Sequence, residues 1–171
     1  ALVDRLDALD AAYGKLDHNV FIVAAEGGGI RAAYWTAAVL SAIQDSHHSF
    51  AAHCFAISGV SGGSLGGAVF TTLVQKGQTG YRDKSHRILS ADFLSPTLAR
   101  MFGADLPKQF LPFVPIPDRG RALELAWEFG WRDVSRGAFS KSFLGLLDPT
   151  RPILFLNGTW AETGRRIVFS P

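Results

Sequence analysis

The sequence has 171 residues, a formal net charge of +2, 47% hydrophobic residues and 19% charged ones. That length supports one domain with a real core, and the composition excludes a disordered or highly charged tail. A single cysteine, Cys54, excludes an intramolecular disulfide framework and a cysteine-based zinc site.

Leu2, Leu6, Leu9 and Tyr13 recur near helical spacing, so the first 15 residues read as a helix. Asp4, Arg5, Asp7 and Asp10 interrupt any signal-peptide core there. The chain begins with Ala1, not Met, which fits a processed or truncated chain. Residues 19–25 read as a buried strand ending at Glu26-Gly27-Gly28-Gly29. Ile30, Ala33, Ala37 and Leu40 mark one face of a helix over 30–45, whose alanines permit close approach to a sheet. Cys54 to Ile57 is a short strand that runs into Ser58-Gly59-Val60-Ser61-Gly62-Gly63. Leu65, Val69 and Leu73 mark the next helix. Strand, helix, strand, helix predicts parallel strands with crossovers. No apolar run approaches the about 20 residues that a bilayer span requires.

The middle of the chain differs. Residues 92–117 are rich in Leu, Phe and Pro, with short helical pieces at best. Residues 118–131 read as a helix carrying Leu123, Ala126, Trp127 and Phe129, and 143–147 as a further short helix. Ile153 to Leu156 is a strand, Asn157-Gly158-Thr159 a turn, and Arg166 to Phe169 a last strand. The whole chain, 1–171, reads as one α/β domain with a mainly parallel sheet, and 80–150 as an insertion or cap on it.

The charge is uneven. Residues 1–60 carry three basic residues against six acidic ones, and the remainder 14 against nine. A basic second half suits an anionic surface, lipid headgroups included, although a solvated face is the simpler reading. No basic stripe with interleaved aromatics and no zinc spacing point to nucleic acid.

Two motifs carry chemistry. Gly59-Val60-Ser61-Gly62-Gly63 is a G-x-S-x-G between a strand and a helix, the context in which such a serine becomes a nucleophile. Gly59 and Gly63 leave room for a sharp turn, and the hydroxyl lies at a helix N-terminus, which favours developing negative charge. The second motif is Gly27-Gly28-Gly29-Ile30-Arg31. One reading is a dinucleotide loop, since Gly27, Gly29 and Ala32 match G-x-G-x-x-A. That reading wants an acid at the end of the next strand, where Ser58 and Gly59 stand; Asp45 has the spacing but precedes the strand. The other reading is an oxyanion hole, with glycine amides aimed at a tetrahedral intermediate. Ser61 at the tip of the adjacent strand favours the oxyanion reading.

A Ser–Asp–His order fails, because His86 is the only histidine after Ser61 and comes too early. His18, His47, His48 and His53 precede it, and His47 with His48 read as a polar surface pair. A Ser–Asp dyad remains.

Glu26 to Arg31, followed about 30 residues later by Gly59 to Gly63, resembles the patatin-like phospholipases. Ile153 to Thr159 with Glu162 to Phe169 is similar to that family's later strand pair. The resemblance implies a three-layer α/β/α fold and a lipid acyl hydrolase that works through an acyl-enzyme and a Ser–Asp dyad, with no metal or cofactor. It implies Ser61 as nucleophile. It likewise implies that Gly27, Gly28 and Gly29 form the oxyanion hole, with amides from Gly28 and Gly29 and support from Gly27. It implies that Arg31 steadies the loop or meets a lipid phosphate. The implied partner is a lipid or membrane-surface substrate; the sequence does not fix the compartment, and a cytoplasmic or membrane-associated setting is the expectation. The family's aspartate lies in an Asp-Gly motif after the second strand pair. No Asp-Gly pair occurs in these residues, so the chain reads as the N-terminal part of a longer catalytic domain, inactive alone. Asp92, Asp105, Asp118, Asp133 and Asp148 all lie upstream of the expected place, and Glu26 stands where Asp or a small residue is usual. The alternative is a non-catalytic lipid- or nucleotide-binding domain.

Three smaller features complete the reading. Phe110, Leu111, Phe113, Val114 and Ile116, among Pro107, Pro112, Pro115 and Pro117, read as core beneath a stiff loop or as a lipid-facing rim. Trp127 and Trp131 read as packing anchors. Cys54 reads as a small core residue.

Overall fold

The computed structural model describes residues 2–14, 19–105, 119–140, 143 and 151–170. In chain order these form α1 (Leu2–Tyr13), β1 (Phe21–Ala25), α2 (Gly29–Ser46), α3 (Phe50–His53), β2 (Cys54–Val60), α4 (Gly62–Gln75), α5 (Tyr81–Leu89), α6 (Leu94–Arg100), a π-helical turn (Met101–Asp105), α7 (Arg119–Gly130), β3 (Ile153–Thr159) and β4 (Arg166–Phe169). The chain divides into two compact units, residues 1–86 with 142–171, and residues 87–141. Within the described residues, no helix is long and apolar enough to cross a membrane.

The first unit is an α/β fold around a sheet of strand order β1-β2-β3-β4. β1 pairs parallel with β2, setting Ala25 opposite Gly59, and β2 pairs parallel with β3, setting Val60 opposite Asn157. β4 returns antiparallel to β3, with Thr159 opposite Arg166. The parallel pairs follow from the helices between the strands, since parallel neighbours need a crossover.

Strand alternation sorts the residues onto two faces. Ile57 and Leu154, both fully buried, point at α4, where a Cβ on Gly67 would lie 3.0 and 3.1 Å from their methyl groups. Gly66 lets α4 meet α2, because a Cβ there would lie 2.8 Å from Thr36 Cβ and overlap the Ala33 carbonyl oxygen. Small residues on the two helices therefore set their spacing. Val69, Phe70, Leu73 and Val74 of α4 are wholly buried, and each such side chain contributes about 1.5–3 kcal/mol. An aromatic chain extends this core: Phe21 to Phe50 at 5.9 Å, Phe50 to Phe70 at 6.1 Å, Phe70 to Tyr81 at 6.4 Å. On the other face stand Ser58 and Asn157, and Ile22 at the far edge is 72% exposed.

Buried Arg5 ties α1 to the N-terminal edge of the sheet. Its guanidinium donates to the carbonyls of Ala52 (3.1 Å), Cys54 (3.2 Å) and Arg151. Asp45 links α2 to α5: its two carboxylate oxygens accept the Tyr81 and Arg82 backbone N–H groups, each at 2.9 Å. The α5 N-terminus thereby gains an acidic partner for its orphan donors.

The second unit contains α6, the π-helical turn and α7. Phe93, Ala122, Ala126, Trp131 and Ala138 are buried, and Trp131 packs on Phe139 at 5.0 Å. Trp131 is thus the anchor its spacing suggested, whereas Phe129 is 56% exposed with the Arg132 guanidinium 3.8 Å above its ring.

Several sequence expectations change. Asn157-Gly158-Thr159 is strand, not turn: β3 continues through it, and the reversal falls at Trp160–Gly164, where Gly164 N–H donates to Trp160 O at 2.8 Å. β2 likewise continues through Ser58, Gly59 and Val60. α5 was not foreseen. The proline-rich segment 106–117, with Phe110, Leu111, Phe113, Val114 and Ile116, lies outside the described residues, as do Asp118, Asp148 and the helix expected at 143–147, of which only Phe143 is described.

Candidate functional site

β2 ends at Val60 and α4 begins at Gly62, so Ser61 makes the whole connection. It does so at φ 51°, ψ −119°, and among the described residues it is the one non-glycine with positive φ. A side chain held there costs about 1–3 kcal/mol, a strain that clusters at functional positions. The Ser61 carbonyl accepts the first helical bond from Leu65 N–H at 3.2 Å. Its side chain is exposed.

The flanking glycines answer to close backbone approach. A Cβ on Gly59 would lie 2.6 Å from Ser64 N and Cα, and one on Gly63 would lie 2.5 Å from the Ala25 and Glu26 carbonyl oxygens. A Cβ on Gly62 would overlap the Gly29 carbonyl oxygen. The elbow is therefore pressed directly against the end of β1 and the start of α2. Val60, by contrast, is 49% exposed, which explains why that position needs no small residue.

The glycine loop lies on the other side of the contact. A Cβ on Gly27 would sit 3.3 Å from Ser61 Cβ and 3.9 Å from Ser61 Oγ. Gly28 (φ 147°, ψ 30°) and Gly29 (φ 61°) adopt conformations that side chains resist, and α2 starts from them. The structure thus brings Gly27, Gly28, Gly29, Gly59, Ser61 and Gly63 together. Two helix N-termini, of α2 and α4, leave adjacent parallel strands at one sheet edge. Their orphan N–H groups favour negative charge there. Arg31 is exposed in the first turn of α2.

Beside these loops lies an open cavity of about 380 Å³, lined by residues of β1, β2, β3 and β4. Glu26 and Val60, the residues just before Gly27 and Ser61, form part of its wall. Ser58, Asn157, Thr159 and Arg166 supply its polar groups. The Asn157 amide nitrogen donates to Ser58 Oγ and to the Gly59 carbonyl, both at 2.9 Å, with Phe155 O at 3.4 Å. Its oxygen accepts from Arg166 Nε at 3.1 Å and from a terminal guanidinium nitrogen at 2.5 Å. Sequence reasoning missed Asn157, Arg166 and Ser58 because it placed Asn157 in a turn. The usable signal was a polar residue at the C-terminal end of a strand that pairs beside the serine strand.

Several of the described histidines and acids have partners of their own. His86 Nδ1 lies 3.1 Å from the Tyr34 hydroxyl, while His47 and His48 are exposed. Asp45, which has the spacing of a dinucleotide loop's acid, sits at the far end of α2 and caps α5, so it does not serve the glycine loop. Asp92 accepts from the N–H groups of Leu94 (3.1 Å) and Ser95 (2.9 Å) at the start of α6, and the Ser95 bonds hold its carboxyl below the usual range. Asp133 pairs with Arg132. Among the described residues, Ser61 Oγ has no hydrogen-bond partner, and Glu26 is the one carboxylate in the cavity wall. Buried Cys54 is free, and burial pushes its thiol up to about 11 despite the nearby Arg5 charge. No group of three or more metal-ligating side chains occurs within the described residues. Compared with family models, with curated proteins and with solved structures, the chain matches none of them.

Proposed function

We propose that the chain carries the nucleophile and the oxyanion hole of a serine lipid acyl hydrolase of patatin-like type. The observation that supports this reading is the positive-φ serine at a strand-to-helix elbow, pressed against a second glycine loop. An ordinary helix start does not need a strained serine, and a dinucleotide loop does not need one beside it.

In this reading Ser61 Oγ attacks the ester carbonyl carbon, and its proton passes to a base. Charge develops on the carbonyl oxygen, which the Gly28 and Gly29 amides receive at the α2 N-terminus. The oxyanion collapses, the alcohol leaves with the proton, and water then hydrolyses the acyl-enzyme by the same steps. The cavity beside Val60 and Glu26 offers room for part of the ester, and Arg31 is a cation for a lipid phosphate. The base is an aspartate of an Asp-Gly motif, by family resemblance, and no such pair occurs in these 171 residues. A general base typically adds about 10²–10⁴-fold to such a step.

The test is labelling by a fluorophosphonate, followed by mapping of the modified residue. Labelling at Ser61 that disappears in a folded Ser61→Ala protein is the expected result, with Glu26→Gln labelling at the wild-type rate. Absence of labelling in the unmutated protein, with tight binding of a nucleotide or an intact lipid, would replace the hydrolase with a binding domain.

A further inference from the structure

We propose that Asn157 is a positioning residue that clamps the end of β2, so that Ser61 is held in the geometry from which it reacts. This rests on Ser61 being the nucleophile. The elbow must be gripped at both ends, because a serine at positive φ relaxes if either side yields. On the helix side the grip is steric: Gly63 lies against the Ala25 and Glu26 carbonyls. On the strand side the last two rungs pair Gly59 with Leu156 and Val60 with Asn157. There the Asn157 side chain adds a bond to the Gly59 carbonyl at 2.9 Å, two residues before Ser61.

The orientation of that amide is fixed by chemistry. A guanidinium only donates, so the atom facing Arg166 must be the amide oxygen. The NH₂ group then faces β2, and its two hydrogens reach Ser58 Oγ and Gly59 O, both at 2.9 Å. Arg166 on β4 thus sets the amide on β3, which holds the backbone of β2. The clamp stands at the wall of the open cavity, where water would otherwise compete for the Gly59 carbonyl.

The sharp variant is Asn157→Asp. It keeps the shape and can pair with Arg166, but it turns a carboxylate oxygen toward the Gly59 carbonyl. Ser58 adapts, since its hydroxyl can turn and donate; the carbonyl cannot. In a folded Asn157→Asp protein, the maximal rate of fluorophosphonate labelling should fall about 10²-fold, the scale of a small misplacement of a reacting group. The half-saturating probe concentration should stay within about twofold, the pattern for an interaction that acts on the reacting state. A general loss of packing would move the second quantity and the melting midpoint as well. Asn157→Ala, which removes the donor without adding charge, is the second variant should the first not fold, with a loss of the same order. Arg166→Gln should show a smaller loss. A folded Asn157→Asp or Asn157→Ala protein that labels at the wild-type rate overturns the proposal. Should wild-type Ser61 not label, the hydrolase reading fails separately. The clamp is then judged by amide hydrogen exchange over residues 59–62: faster exchange in Asn157→Asp supports it, and unchanged exchange overturns it.

Discussion

Replacing Ser61 by glycine should stabilise the fold relative to replacing it by alanine. Both variants lose the hydroxyl, which has no hydrogen-bond partner among the described residues. They differ only in the Cβ that must sit at φ 51°. Relief of that strain is worth about 1–3 kcal/mol. Glycine gives back about 0.4–1 kcal/mol through its freer unfolded chain. The lost Cβ contact is small, because Ser61 is exposed and its Cβ faces Gly27, which has no side chain. The net expectation is about 1 kcal/mol in favour of glycine. For a chain of this size that raises the melting midpoint by about 2–4 °C. Paired urea and thermal unfolding of the two variants measure the difference. If Ser61→Gly is no more stable than Ser61→Ala, the elbow is not strained in solution, and the argument from backbone conformation to reactivity loses its basis.

Three further outcomes follow from the geometry. Gly63→Ala should destabilise by at least about 1–3 kcal/mol, because its Cβ meets backbone oxygens, whereas Gly67→Ala meets only the methyl groups of Ile57 and Leu154 and should cost less; urea midpoints of the pair decide. Asp45→Ala removes both acceptors at the α5 N-terminus and should cost about 1–2 kcal/mol, read by the same unfolding curves. The Cys54 thiol, at about 11 against an ordinary 9.0, binds its proton more tightly folded than unfolded. The stability that this thiol contributes should therefore be intact below pH 9 and decline by up to about 3 kcal/mol between pH 9 and 11, and Cys54→Ala should remove that share of the alkaline decline.

Much of the first unit is legible from local pattern. β1, α2, β2 and α4 announce themselves as an apolar run, a glycine cluster and a 3.6-residue stripe, repeated. The glycine positions around Ser61 are legible because contact forces them: two backbones touch there, and only glycine fits. The strand ends are harder. Gly59 and Gly158 read as breakers, yet both belong to strands whose edges are completed by side-chain bonds from Asn157. α5 escapes notice because its buried stripe runs Tyr81, Ser85, Ile88, Leu89. The serine reads as polar, but its hydroxyl is turned back onto the Arg82 carbonyl at 2.9 Å and hidden. Asn157 and Ser58 stand 99 positions apart, and no window along the chain connects them.

That separation also bears on how the molecule assembles. β3 and β4 form a local hairpin, but the hairpin joins β2 only by closing a loop of about 90 residues. Local contacts come early and this pairing late, since chain entropy must be lost before the distant contact is gained. The dependence on length is only logarithmic: doubling the intervening segment would add about 0.6 kcal/mol. The stretch between the two central strands is therefore where a fold of this design can grow or shrink at small thermodynamic cost, while Gly59, Gly62 and Gly63 leave no room for even a methyl group.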